Sequence, residues 1–190
     1  MGDIERVAKS AAISQEIKQI AGVYVFNSNM ETDLRGSLSA FTFQEDQPRI
    51  MQQLNVVRSK PGVLRGIHAH ATYDEFYIPI DGEFYFVLAD ARKNSPTFGN
   101  QLGFHLNAED LIGFRVPVGV AHGALFISRG TLAYGISEIW SGRGEFGCRW
   151  DDPSLTFKWP VQAPILSEKD SKAGSYELLV KELNDSVLMK

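Results

Sequence analysis

The sequence predicts an all-β domain, an antiparallel sandwich or barrel with a short helix at each end. Two observations carry this. From Val23 onward the chain breaks into short apolar or alternating runs, VYVF, SLSAFTF, FYIPI, EFYFVLA, LIGFRV, ALFI, LAYGISEIW and LTFKW, bounded by Gly, Pro, Asp and Asn. Such runs at close spacing are strands of an antiparallel all-β fold rather than alternating β/α units. The turn chemistry agrees: Asp81-Gly82 is the pair expected of a tight hairpin, and Asn94-Ser95-Pro96 ends the following strand.

Outside the strands the pattern changes. Apolar residues between Ile4 and Ile20 fall at mixed helical spacing, which predicts a helix or arm over residues 1–21 ahead of a barrel over 22–165. In Ser175–Leu183, Leu178, Leu179 and Leu183 recur at helical spacing, so residues 166–190 are expected to close the domain with a helix. Within the strands, Phe84, Phe86 and Leu88 are read as core. There is no repeat, linker or low-complexity tract, and residues 1–190 are taken as one domain.

Composition limits the function. A chain of 190 residues, 44% hydrophobic and 22% charged, suits one soluble globular domain. A formal net charge of -4 argues against a broad surface for nucleic acid or anionic lipid, though a local basic pocket for a phosphate is compatible with it. The single cysteine, Cys148, cannot form an internal disulfide, and the first residues show no apolar core of signal-peptide length. No run approaches the roughly 18 apolar residues of a membrane span. A reducing cytoplasm is the expected location.

The chemistry gathers around histidines. Three of the four lie in two segments, Gly62-VLRGI-His68-Ala69-His70-ATYD-Glu75-FYIPID-Gly82 and Pro117-Val118-Gly119-Val120-Ala121-His122. On a strand His68 and His70 share a face, because side chains alternate with a period of two. If the strand bearing His122 crosses the same interior, three imidazoles and the Glu75 carboxylate converge, a donor set that suits Zn, Mn, Fe or Ni. His105, alone in its context, is read as an ordinary strand residue.

These segments resemble the two metal motifs of the cupin superfamily, whose fold is an antiparallel jelly-roll β-barrel. Further blocks resemble the dTDP-4-dehydrorhamnose 3,5-epimerase family: Asp33-Leu34-Arg35-Gly36, Gln53-x-Asn55, Gly62 through His68, Asp90 through Gly99, Val116 through Gly123, Trp150-Asp151-Asp152-Pro153 and Leu166 through Asp170. The resemblance implies an isomerase that works beside the ketone of a nucleotide-diphosphate 4-keto-6-deoxy sugar, inverting C3, C5 or both. It implies His68 as general base, Tyr134 as acid and Asp170 as the carboxylate that orients the base. It also implies substrate contacts from Arg35, Gln53, Asn55, Arg65, His122 and Trp140, and a homodimer built on Val23–Phe43. No organic cofactor is expected.

Those roles make chemical sense. A histidine held by a carboxylate can take a proton beside a ketone, and a phenol can return one on the opposite face. Arginines grip phosphate oxygens through several fixed donors. The chain departs from the family in two places. Glu75 stands where the family has an enolate-stabilising lysine, and Ile139-Trp140 replaces a Tyr-Tyr pair. The first change reverses a charge and admits a second reading, a metal-dependent cupin isomerase or oxygenase with His68, His70, Glu75 and His122 as ligands. A non-catalytic sugar-nucleotide binder is a third. His68 serves either as free base or as metal ligand, since a lone pair bound to metal cannot take a proton.

Overall fold

Residues 3–42 and 51–188 are described by the computed structural model. Helix α1 (Asp3–Ile17) precedes β1 (Tyr24–Asp33) and β2 (Gly36–Phe41), which form a hairpin. Then come β3 (Gln53–Ser59), β4 (Leu64–His70), β5 (Glu75–Asp81), β6 (Glu83–Asp90) and β7 (Gln101–Asn107). A 3-10 turn at Ala108–Asp110 leads to β8 (Ile112–Val116), β9 (Val120–Phe126), β10 (Gly130–Ile136) and the short β11 (Glu145–Gly147), and helices α2 (Glu168–Ser171) and α3 (Tyr176–Leu188) close the domain. The strands make two antiparallel sheets, ordered β2-β1-β8-β5-β10-β3 and β11-β4-β9-β6-β7. The chain passes between them repeatedly, which is the jelly-roll architecture expected of a cupin.

Strand polarity explains the layers. In β6 the even residues Phe84, Phe86 and Leu88 point between the sheets, where they meet Leu102, Phe104 and Leu106 of β7 and Phe114 of β8. The odd residues Tyr85, Val87 and Ala89 point outward, yet they are buried as well, beneath Tyr176, Leu179 and Leu183 of α3. A sheet covered on both faces needs apolar residues at every position, hence the unbroken EFYFVLA run. Ile13, Ile17 and Ile20 anchor the N-terminal segment in the inter-sheet core, and Lys9 reaches Asp110 at 2.8 Å. The six-stranded sheet is different: Leu54, Val56 and Ile80 on its strands are exposed.

Four details depart from the sequence reading. Asp81-Gly82 joins strands of different sheets, so it makes a corner rather than a hairpin. Gly82 has φ +95°, and a Cβ there would lie 2.6 Å from the Arg129 carbonyl oxygen, so the turn needs glycine whatever strands it connects. The LTFKW run forms no strand; Leu155, Phe157 and Trp159 pack instead from an irregular segment onto the outer face of the five-stranded sheet. LAYGISEIW is strand only as far as Ile136. In α3 Tyr176, Leu179 and Leu183 are buried, whereas Leu178 is exposed. Phe43, the last residue of the SLSAFTF run, lies outside the described residues.

The Asp90–Gly99 block clamps the two ends of the chain to the barrel. The fully buried Asp90 carboxylate accepts hydrogen bonds from Arg92 Nε (2.8 Å) and Nη2 (2.7 Å), Ser95 Oγ (2.5 Å) and Thr97 Oγ1 (2.6 Å). Arg92 also donates to the Ala21 carbonyl, and Asn184 of α3 donates to that of Ala91. Burial alone would raise the Asp90 pKa, but these donors outweigh it and hold the group below the ordinary carboxylate value. A depressed folded-state pKa contributes stability that is complete above the unfolded value of about 4 and is lost as pH falls through the folded one. Asp90→Asn should therefore cost about 2–4 kcal/mol at pH 7. In urea unfolding from pH 7 down to pH 3, the gap between wild type and variant should narrow below about pH 4.

Candidate active site

One cavity of about 360 Å³ opens between the sheets. Arg65, His68 and His70 enter it from β4 and His122 from β9, while Gln53, Asn55, Glu75, Tyr77 and Tyr134 enter from β3, β5 and β10 of the facing sheet. A regular strand would not present Arg65 and His68 to the same side, because they are an odd number of residues apart. The register of β4 against β9 shifts between Gly66 and His68, which resets the pleat. Leu64 and Ile67 consequently face the outer core, and Arg65, His68 and His70 all face the cavity. Gly66 permits the shift: its φ is +119°, and a Cβ there would stand 2.7 Å from both Gly123 Cα and the His122 carbonyl oxygen.

Two groups of side chains separate within the cavity. His68 Nε2 lies 2.7 Å from Asp170 Oδ1, a contact spanning 102 residues of sequence. Asp170 sits in α2, where Ser167 Oγ accepts its backbone N–H, and the segment is stitched to the start of β4 by Leu64 N–H donating to the Ile165 carbonyl. Burial would raise the Asp170 carboxyl, but the hydrogen bond and charge of His68 prevail and lower it. A carboxylate accepting from one ring nitrogen fixes the proton there and leaves the lone pair on the other.

The second group is buried deeper. Glu75 Oε2 lies 2.8 Å from His122 Nε2, and Oε1 lies 3.2 Å from His70 Nε2. The Tyr77 hydroxyl donates to the same carboxylate. His122 Nδ1 is 2.9 Å from the Val120 carbonyl oxygen, and the His70 ring stacks on Tyr73 with centroids 4.2 Å apart. Burial pushes Glu75 upward, but the two imidazoles overcome it and keep the carboxylate ionised. Burial lowers His70; for His122 the opposing pull of Glu75 wins and raises it. Among the described residues, His70, Glu75 and His122 form the one cluster with metal-ligand donors in mutual reach. The four-donor set suggested by the sequence is therefore divided: His68 belongs to Asp170, and the other three belong together.

Tyr134 lies on β10 opposite Tyr77, with their rings stacked at 5.9 Å. Burial first, and then the charge of Glu75, raise its pKa, so the phenol holds its proton. Gln53 donates to Asn55 at 2.8 Å and accepts the Trp140 backbone N–H at 3.0 Å, so these three residues form a connected rim, with the Trp140 side chain largely exposed. Arg65 Nε reaches Ser59 Oγ at 3.3 Å. Two candidates do not line this cavity: Asp170, which is joined to it through His68, and Arg35. Arg35 lies at the exposed turn of the β1–β2 hairpin, paired with Asp33. His105 lies outside the cavity too, exposed beside Tyr85.

The family model for dTDP-4-dehydrorhamnose 3,5-epimerase matches residues 17–177. The chain belongs to the dTDP-4-dehydrorhamnose 3,5-epimerase family. The enzyme of that name from Shigella flexneri is 35% identical over 162 residues, covering 80% of this chain and 90% of that one. Its Pseudomonas aeruginosa counterpart is 34% identical over 167 residues, 83% and 92% of the two chains. The crystal structure of a 3,5-epimerase from Legionella pneumophila in complex with dTDP-4-keto-L-rhamnose superimposes with a TM-score of 0.79 at 31% identity, covering 87% of this chain and 93% of that one.

Sequence reasoning missed Tyr73, Tyr77 and Glu145, all of which line the cavity. Tyr77 was within reach, being two residues from Glu75 on one strand and so on the same face. Glu145 could not be placed, since β11 is only three residues long and pairs with β4 opposite His70. Replacing Gly66 by Ala should disturb the whole β4 side of the site. Urea unfolding should show a loss of more than about 1 kcal/mol, and turnover should fall together with it.

Proposed function

We propose that the protein is a nucleotide-sugar epimerase that inverts C3, C5 or both of a nucleotide-diphosphate 4-keto-6-deoxy sugar, acting in the cytoplasm. The observation that carries this reading is that His68, paired with Asp170, lines one cavity together with Tyr134, His68 and Tyr134 coming from opposite sheets. In this mechanism the free nitrogen of His68 takes the proton from the carbon beside the ketone, and the electron pair moves into an enolate. Tyr134 then gives its proton to the same carbon from the other face, which inverts the centre. Asp170 stabilises the imidazolium formed in between. Arg65 is assigned to the diphosphate or sugar oxygens, Gln53 and Asn55 to the sugar, and Trp140 to the nucleotide base. The relatives' names support a dTDP-linked substrate.

The same reading includes a homodimer. Residues 29–33 of β1 continue the pairing with β2 beyond the last β1–β8 pair, Asn27 with Ile112, so the hairpin extends past β8. Met30, Leu34 and Leu38 are exposed on it, as are Leu54, Val56 and Ile80 on the same sheet. Exposed apolar surface of this kind favours association with a second copy. In a dimer Arg35, which its own cavity does not contain, has a route to the cavity of the partner. Light scattering at micromolar concentration should report two chains per particle; a monomer would refute the assembly.

The chemistry is tested by turnover in deuterated water. Wild type should incorporate solvent deuterium at each centre it inverts. His68→Ala should lose exchange and turnover together, by about two to four orders of magnitude. Tyr134→Phe should retain exchange while losing inversion, because the enolate then regains its proton from the His68 side. Retention of near-normal turnover by His68→Ala would remove the assignment of the base.

A further inference from the structure

We infer that His70, Glu75 and His122 bind a divalent transition-metal ion, while His68 stays outside the coordination sphere as the free base. Its catalytic part rests on the epimerase reading; the binding itself does not. The argument is one of donors and acceptors. The Val120 carbonyl, 2.9 Å from His122 Nδ1, holds a proton on that nitrogen, which directs the lone pair of the neutral ring onto Nε2. That Nε2 faces Glu75 Oε2 at 2.8 Å, an acceptor against an acceptor unless a cation or an extra proton lies between them. On the other side Glu75 Oε1 stands 3.2 Å from His70 Nε2. His70 Nδ1 is buried without a hydrogen-bond partner among the described residues, so none of their acceptors fixes which nitrogen carries the ring proton.

The spacing suits an ion. Two ligand atoms bound at about 2.1 Å and a right angle are about 3 Å apart, which matches both separations. Two imidazoles and one carboxylate are a donor set for Fe, Mn, Ni or Zn that leaves coordination positions open toward the cavity. The surrounding contacts are of the kind that orient metal ligands: Val120 holds His122, the Tyr77 hydroxyl donates to Glu75, and Tyr73 stacks on His70. When bound, the ion supplies the positive charge at the enolate that Glu75 in place of lysine removes. His68 has its own partner in Asp170, so base and metal need not compete for one lone pair.

The experiment is elemental analysis of the protein purified without added metal and again after chelation and dialysis against Zn, Mn, Fe or Ni. One ion per chain is expected, together with a raised melting temperature on reloading. Glu75→Gln and His70→Ala should lose the ion, and His68→Asn should keep it. Replacement by Co(II) in the unaltered protein gives a visible absorption band that does not depend on the variants folding. If none of these metals binds stoichiometrically or shifts the melting temperature, the inference fails, and Glu75 is neutralised by a protonated His122 instead. If His68→Asn also abolishes binding while remaining folded, the proposed ligand set is wrong. Full turnover by metal-free protein would overturn the catalytic part of the inference while leaving the epimerase assignment intact.

Discussion

A β-strand shows alternate residues to opposite faces, and a site that needs three side chains from one strand must break that rule somewhere. Here the break is at Gly66, where β4 slips against β9 and its backbone comes into contact with Gly123. Upstream of the slip Arg65 faces the cavity; downstream His68 and His70 do, while Leu64 and Ile67 remain in the outer core. The same shift sets His68 opposite His122 in the ladder. The positions of Arg65, His68, His70 and the facing His122 thus follow from one backbone irregularity. A Cβ at Gly66 would force the strands apart at the point where they carry the chemistry.

The two sheets divide the work according to how they are covered. The five-stranded sheet is buried on both faces, by the inter-sheet core and by α3 with the irregular segment before it, so its histidines sit on a backbone with little freedom. The facing sheet contributes Glu75, Tyr77, Tyr134, Gln53 and Asn55 from its inner side and leaves Leu54 and Val56 exposed on the outer side. The cavity wall and the exposed apolar surface therefore belong to opposite faces of the six-stranded sheet. The C-terminal segment then completes the site from outside the sheets by delivering Asp170 to His68.

How much of this was legible in the sequence depended on which signal an element carries. Strands β5, β6 and β8 show plain apolar runs and were read directly. Strand β3 was not, because its pattern is inverted: Gln53 and Asn55 point inward to the cavity while Leu54 and Val56 point to the surface. In β7 the inward residues Leu102, Phe104 and Leu106 alternate correctly, but Gly103 and His105 between them blurred the run. Gly103 is there because a Cβ would meet the ring of Tyr85. Turn chemistry identified Asp81-Gly82 as a turn and could not tell whether the flanking strands would pair, since that depends on the sheet and not on the turn. The histidine spacing revealed a site, but the separation of His68 from the other ligands depends on Asp170, far away in sequence, which only the family resemblance brought to it.

The placement of Glu75 couples the parts of the site electrostatically. A buried carboxylate near a phenol opposes loss of the phenolic proton, and Tyr134 is shifted upward partly for this reason, with Arg65 pulling the other way. In the proposed mechanism that suits a group which carries its proton until an enolate forms beside it. The same negative charge opposes the enolate itself, and in a cavity partly shielded from water the opposition is stronger than at a surface. The two effects act at different atoms, the phenol oxygen and the ketone oxygen. They can be reconciled by a positive charge near the ketone that leaves the phenol in the field of the carboxylate. His70 and His122 flank Glu75 at 3.2 and 2.8 Å, so the groups able to hold a balancing charge stand at its two oxygens. With the inferred ion held by these three residues, the balancing charge lies on the cavity wall and offsets the carboxylate at the enolate.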